Sequence, residues 1–325
     1  FGSRRATQVW RSTGRQGMLP SMLPSSSATA WQPGEALIGQ KPRVRKRIAD
    51  VPDEVTRKRP TQLSTAERLK KWMHEDSVQL FTLAVQKVKQ RHEELAKAGQ
   101  MEEADSEEIR RTLFRLARRA RTFKNVVPMC SLLIDELGIS VNIKDRRSRQ
   151  SPIFYASSVG SQPLVHFFLE RKADANHLDF NLQTPLFYAA RAGHADCVRS
   201  LMEGNASLGQ ADVNSQTAAF YAAGSGHLDC LSLLLTDVEA KRKDKYGRTA
   251  LFYVADSGSC SLLLKSKCHI EECDKKGWTA LFAAVAARRE AGIKGLLDLK
   301  ASIDVMDNSG MSLQTLARRC RIDLA

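Results

Sequence analysis

Cys260, Cys268, His269 and Cys273 crowd into a short stretch of the chain, and thiolate and imidazole groups are the ligands zinc takes. Bound zinc would supply a structural clamp or an activated water. Their spacing matches no standard ligand pattern, so no metal is expected. Of the other histidines, His194 and His227 each follow a glycine and stand 33 residues apart, which marks a repeated turn rather than a proton-transfer site. No phosphate-cradling loop, dinucleotide fingerprint or nucleophile elbow is present. The chain therefore reads as a non-enzyme, with no catalytic residue, no cofactor and no small-molecule substrate.

Other side chains are placed for recognition instead. The chain has five tyrosines, and four of them, Tyr155, Tyr188, Tyr221 and Tyr253, fall four residues after a recurring Ser or Thr. Rigid amphipathic rings of this kind are enriched at binding hot spots. Phe180, Tyr246 and Trp278 lie in the turns just before those positions, among Arg146, Arg147, Lys245, Arg248, Lys275 and Lys276, and Arg191 follows Tyr188. Such a set suits a protein partner with an apolar stripe and some acidic character. The alternative is that each tyrosine ring packs against the neighbouring unit.

The elements that position these residues follow from a period. Ser151, Thr184, Thr217, Thr249, Thr279 and Ser312 are separated by 33, 33, 32, 30 and 33 residues. The last five follow an Asp by five residues (Asp179, Asp212, Asp244, Asp274 and Asp307), and Asp145 precedes Ser151 by six. Each anchor opens a phrase such as SPIFYAS, TPLFYAA, TAAFYAA, TALFYVA or TALFAAV. An anchor hydroxyl can cap a helix, and Pro next to it suits the first turn. At 100° per residue, Leu186, Ala189 and Ala190 share one face and let paired helices approach closely, while Tyr188 points away.

Phrases such as DFNLQTPLFYAARAGHADCVRSL, DKYGRTALFYVADSG and ERKADANHLD resemble the ankyrin repeat family over residues 106–325. The resemblance implies an all-α solenoid of stacked helix-turn-helix units joined by short hairpin or turn fingers. GISVNIKD would end a divergent first unit, about five recognisable repeats follow, and DNSGMSLQTLARRC forms a terminal partial one. It also implies a protein–protein interaction scaffold whose first helices and fingers line a concave binding surface. Phe154, Phe187, Phe220, Phe252 and Phe282 stand where the family has His. Phe offers no ring hydrogen bond, so apolar contact between units is expected there. The fourth unit is shortened and the fifth has Arg288-Arg289 in place of Gly-His, so distortion is expected in both. Gly247, Gly277 and Gly310 suit a tight turn, whereas Leu182 and Ser215 replace that Gly and imply differently bent fingers.

Ahead of the repeats, residues 1–63 read as a disordered basic tail, with 12 Lys/Arg against 4 Asp/Glu. Residues 125–325 are almost balanced, at 24 against 22, so nucleic acid is not expected to bind the repeats. Lys41, Arg43, Arg45, Lys46 and Arg47, then Arg57, Lys58 and Arg59, resemble a bipartite nuclear-import signal. The tail's other readings are a nucleic-acid or acidic-lipid arm and a targeting segment, since no acidic residue precedes Glu35. Residues 64–105 read as a helical extension, opened by a capping box at Ser64 and Glu67. A second helix starts near Asp105, with Ile109, Leu113, Leu116, Ala117 and Ala120 on one face. Its arginines, Arg110, Arg111, Arg115, Arg118, Arg119 and Arg121, lie mainly off that face and read as solvated surface, the alternative being an acidic partner's target. Seven cysteines without a disulfide framework suit a reducing compartment, cytoplasmic or nuclear. No apolar run reaches the ~20 residues of a membrane span. A monomeric interaction module is the leading expectation. The alternatives are a nuclear or nucleic-acid-associated factor acting through the tail, and the repeat part of a larger enzyme.

Overall fold

The computed structural model describes residues 78–97, 103–122 and 124–324. The basic clusters at 41–47 and 57–59 and the capping box at Ser64 lie outside the described residues. The described part is helical and without strands, its one bridge pairing Met306 with Ser312. The joining fingers are therefore turns rather than hairpins.

Two helices, α1 (Val78–Lys97) and α2 (Glu103–Arg118), precede a short α3 (Val126–Ser131) that runs into a π-helical turn (Leu132–Glu136). From α2 onward the chain alternates a first helix, a turn, a second helix and a finger. The pairs are α4 (Pro152–Val159) with α5 (Gln162–Glu170), α6 (Pro185–Ala192) with α7 (Ala195–Glu203), and α8 (Ala218–Ser225) with α9 (Leu228–Leu234). After a one-turn α10 (Asp237–Ala240), the next first helix shrinks to a 3₁₀ turn (Ala250–Tyr253) before α11 (Ser257–Lys265). The last elements are α12 (Ala280–Ala286), α13 (Glu290–Asp298) and α14 (Leu313–Cys320).

First helices stack on first helices: α2 on α4, α4 on α6, α6 on α8. Small residues make this approach close, since Ala156, Ala189, Ala190, Ala222 and Ala223 are all fully buried. The five phenylalanines at the His position are at most 3% exposed. Each of the first three meets the tyrosine of the next unit, edge-on at 5.5 Å for Phe154–Tyr188 and Phe187–Tyr221 and tilted at 5.9 Å for Phe220–Tyr253. The ladder of rings between units thus alternates Phe and Tyr. At the N-terminal end, Ile109, Leu113, Leu116, Ala117 and Ala120 are buried, and α1 covers α3 and the π-helical turn with Phe81, Ala84, Val85 and Val88. A stack of units exposes apolar surface at each end unless something covers it.

Two expectations need correction. The anchor hydroxyl caps its helix at Thr279 and Ser312 but not at Ser151, Thr184 or Thr217. Those three hydroxyls are buried with no hydrogen-bond partner among the described residues. Their helices begin instead with a bond from the third residue's amide to the anchor carbonyl, as from Phe187 to Thr184 at 3.1 Å. Leu182 and Ser215 do not bend their fingers differently either. They take the left-handed conformation of Gly247, Gly277 and Gly310, with φ of 58° and 63° against 78–82° for the glycines. The finger geometry is imposed by its bonds to Asp and to the next finger, and the side chain bears the strain. Leu182→Gly is therefore expected to stabilise the fold by about 0.5–1 kcal/mol, strain relief exceeding the added chain entropy. Urea denaturation checks this; a loss of stability would show that the half-exposed Leu182 side chain has a holding role.

The distortion expected of the fourth repeat is visible, whereas the fifth keeps the turn of its neighbours, with Arg288 left-handed (φ 54°) where they have Gly193 and Gly226. With the first helix reduced to one turn, α11 and α13 pack so closely that a Cβ on Gly295 would meet Ser257 Cα at 2.6 Å. Arg289 occupies the helix-starting position of His194 and His227, and like them it reaches a carbonyl of the preceding unit, that of Phe252 at 2.9 Å.

Candidate partner-binding surface

The finger Asp is the hub from which the surface is built. In each finger from Asp179 on, one Asp oxygen accepts two amides of its own turn, as Asp212 does from Asn214 (2.8 Å) and Gln216 (2.9 Å). The other oxygen accepts the hydroxyl of the tyrosine nine residues on: Tyr188 to Asp179 (2.7 Å), Tyr221 to Asp212 (2.6 Å) and Tyr253 to Asp244 (2.6 Å). A third donor arrives from the preceding unit, always from the residue just before the anchor. Gln150 reaches Asp179 and Tyr188, Gln183 reaches Asp212 and Tyr221, and Gln216 reaches Asp244. Where the tyrosine is missing the donor changes. Arg248 pairs with Asp274 at 2.8 Å, and the Trp278 indole donates to Asp307 at 3.2 Å. Burial and then the neighbouring carboxylate push the hydroxyls of Tyr188, Tyr221 and Tyr253 far above their ordinary value, so they remain donors.

Arginines lie over these rings: Arg118 on Tyr155 at 4.4 Å, Arg191 on Tyr221 at 4.5 Å and on Tyr188 at 5.7 Å, Arg289 on Tyr253 at 5.9 Å. The finger tips are joined by backbone bonds from Val213 to Asn181, Lys245 to Asn214, Lys275 to Tyr246 and Asn308 to Lys276, all 2.9–3.1 Å. Phe180 (58% exposed), Val213 (53%) and Tyr246 (46%) stand out from this row. Arg149 lies over Phe180 at 5.7 Å and Lys245 over Tyr246 at 5.0 Å, so each tip aromatic carries a cation on its face.

The family model for ankyrin repeats matches at residues 114–217, 153–244, 201–271 and 220–307, together more than half of the chain. The chain belongs to the ankyrin repeat family. Solved structures agree on the ankyrin fold. The human ASB11 ankyrin repeat domain superposes with a TM-score of 0.52 at 23% identity, covering 63% of this chain and 90% of that one. The ankyrin repeat domain of Bcl-3, of the IkappaB protein family, gives 0.50 at 20% identity, covering 64% and 95%. A chain from the complex of the Bdellovibrio bacteriovorus predatory endopeptidase Bd0816 with immunity protein Bd3460 gives 0.50 at 22%, covering 58% and 97%. Comparison with curated proteins gives no match.

Ankyrin repeats are generally protein–protein interaction modules, and the sequence-derived candidates distribute unevenly over this one. Phe180 and Tyr246 are exposed on the finger row. Trp278 is not a tip: it sits in the donor position before the anchor, half-buried, its ring 5.1 Å from Phe282. Arg248 occupies the equivalent position one unit earlier and pairs with Asp274. Tyr155, Tyr188 and Tyr253 are half-buried, and Tyr221 is 5% exposed. Pointing away from the Leu/Ala face thus did not make these rings surface residues, because the finger before each ring and the preceding Phe enclose them. Arg191 is half-buried above two of them. Gln150, Gln183 and Gln216 recur at a spacing of 33, which is the sequence signal for this shared donor position.

The cysteines divide between core and surface. Burial pushes the thiols of Cys197 and Cys260 up to about 12 and that of Cys230 up to about 11, so they stay protonated at neutral pH. Cys268 is buried whereas His269 and Cys273 are exposed, and no group of three or more potential metal ligands occurs among the described residues. No described helix is long and apolar enough to cross a membrane.

Proposed function

We propose that the chain is a non-enzymatic scaffold that binds another protein along its finger row and first helices, the concave side in this family. The observation that supports this reading is the row of exposed Phe180, Val213 and Tyr246 on fingers joined by backbone hydrogen bonds. A row held that rigidly presents apolar area at little conformational cost on binding. The cations over its aromatic faces favour an apolar stripe flanked by carboxylates. The arginines above Tyr155, Tyr221 and Tyr253 extend the same character into the groove.

A photo-crosslinking residue at Phe180 or Tyr246 should join the partner, while one at Val238 or Ile303, exposed off the row, should not. The double variant F180S/Y246S should weaken partner capture about tenfold or more, as loss of central aromatic anchors does. Equal crosslinking from all four positions, or unchanged capture by F180S/Y246S, would place the partner elsewhere.

A further inference from the structure

Beside the first finger, α2 and residues 143–147 enclose a cleft of about 390 Å³. Phe114 and Ile143, both half-buried, supply its apolar part. Around them stand five exposed cations, Arg110, Arg111, Lys144, Arg146 and Arg147, against two carboxylates, Glu107 and Asp145.

Both carboxylates are already engaged. Glu107 lies between Arg111 at 3.4 Å and Arg146 at 3.9 Å. Asp145 accepts the Tyr155 hydroxyl (2.9 Å), the Arg147 amide (3.1 Å) and the Ser148 hydroxyl (3.3 Å), with Arg118 at 3.5 Å. Burial alone would raise Asp145, but those hydrogen bonds outweigh it and hold the group below the usual carboxylate range. Asp145 is thus a fixed anion whose capacity is spent inside the protein. Arg110, Lys144 and Arg147 have no carboxylate partner among the described residues.

We propose that this cleft takes an acidic segment of the protein partner, in which Asp or Glu side chains flank one aliphatic side chain. The aliphatic group enters beside Phe114 and Ile143, and the flanking carboxylates meet Arg110, Lys144 and Arg147. Charge complementarity selects the sign of the occupant, and the apolar part selects its class. A phosphate backbone would leave Phe114 and Ile143 unused. A cavity of this size suits a few side chains, not an extended polyanion. The proposal rests on the protein-binding reading above and adds a second contact at the N-terminal end of the stack.

The test is fluorescence anisotropy of the full chain with a fluorescein-labelled Glu-Glu-Leu-Asp-Glu peptide. The variant R110E/R147E should raise Kd about tenfold or more at low salt, and raised salt should narrow the difference. K294E/K300E, with the same charge change on exposed lysines elsewhere, should shift Kd by less than about threefold. A peptide with Ser for Leu should also bind more weakly. Equal losses in the two variants, no loss in R110E/R147E, or no effect of the Leu change would overturn the proposal. So would displacement of the label by a single-stranded oligonucleotide at lower concentration than by unlabelled peptide. Should R110E/R147E lose its circular-dichroism signature, R110Q/R147Q carries the same comparison. A negative titration leaves the crosslinking result from the finger row in place, so the two readings fail separately.

Discussion

Truncating Phe187 to Ala is expected to destabilise the repeat stack by about 3–5 kcal/mol, the range for deleting a buried core ring. The size of the loss depends on whether neighbours can collapse into the space. Here they are held. Phe187 is 1% exposed and meets the Tyr221 ring edge-on at 5.5 Å, and that ring is tethered through its hydroxyl to Asp212 and Gln183. Ala189 and Ala190 on the same helix have no longer side chain with which to fill the void. Phe187→Leu keeps most of the volume and should cost less than half as much. Because units touch only their neighbours, the loss falls on one seam, and the urea transition should broaden or split as well as shift. A single sharp transition displaced by less than about 1.5 kcal/mol would mean that the cavity closes, and that Phe187 is not the rigid rung described.

The architecture was legible because it is written as a period. Anchors 30–33 residues apart and small residues at the Leu186, Ala189 and Ala190 phase each have one local cause and repeat several times, and the Gly-His turn occurs twice. The shortened fourth repeat was legible for the same reason, as a break in the spacing. What stayed hidden depends on contacts between units. The left-handed backbone at Leu182 and Ser215 carries no signal in residue type, since the finger's bonds to Asp enforce it. The close seam at Gly295 arises only once the preceding helix has shrunk. The burial of Tyr221 needs the finger before it, and its helical phase alone suggests exposure. The finger row is half legible: Phe180 and Tyr246 were visible as tips, whereas Trp278 looked equivalent in sequence and is turned inward by Asp307.

The tyrosine row therefore carries two roles that a single substitution can confuse, internal rung and binding surface. Removing Tyr188 or Tyr221 entirely would create a cavity and strand a carboxylate, and partner loss would then follow from damage to the fold. Substitutions at the hydroxyl and at its acceptor separate these effects.

Asp212→Ala is expected to cost about 3–5 kcal/mol, the range seen when one partner of a buried charged network is removed. Asp212 accepts the Tyr221 hydroxyl (2.6 Å), two finger amides (2.8 and 2.9 Å) and a longer contact from Gln183 (3.4 Å). All of these lose their acceptor at once, in a site where Asp212 is 5% exposed and Gln183 4%. Asp212→Asn keeps an oxygen for the two amides but places an NH2 near the Gln183 NH2, and should cost about 1–2 kcal/mol. Tyr221→Phe removes the hydroxyl that donates to Asp212 and accepts from the Gln183 NH2, leaves the amides bonded and should cost about 1–3 kcal/mol. The pair should be non-additive, with a coupling of about 1–3 kcal/mol in a double-mutant cycle of D212A and Y221F. A coupling near zero would show that the hydroxyl and the carboxylate do not act together. The same Y221F protein decides the larger question, because the change leaves the ring in place. If stability falls while capture of the partner is unchanged, Tyr221 is a rung and recognition lies with Phe180, Tyr246 and the arginines above the groove. If capture falls while the unfolding midpoint stays put, the hydroxyl faces the partner, and the interface reaches deeper between the units than the finger tips.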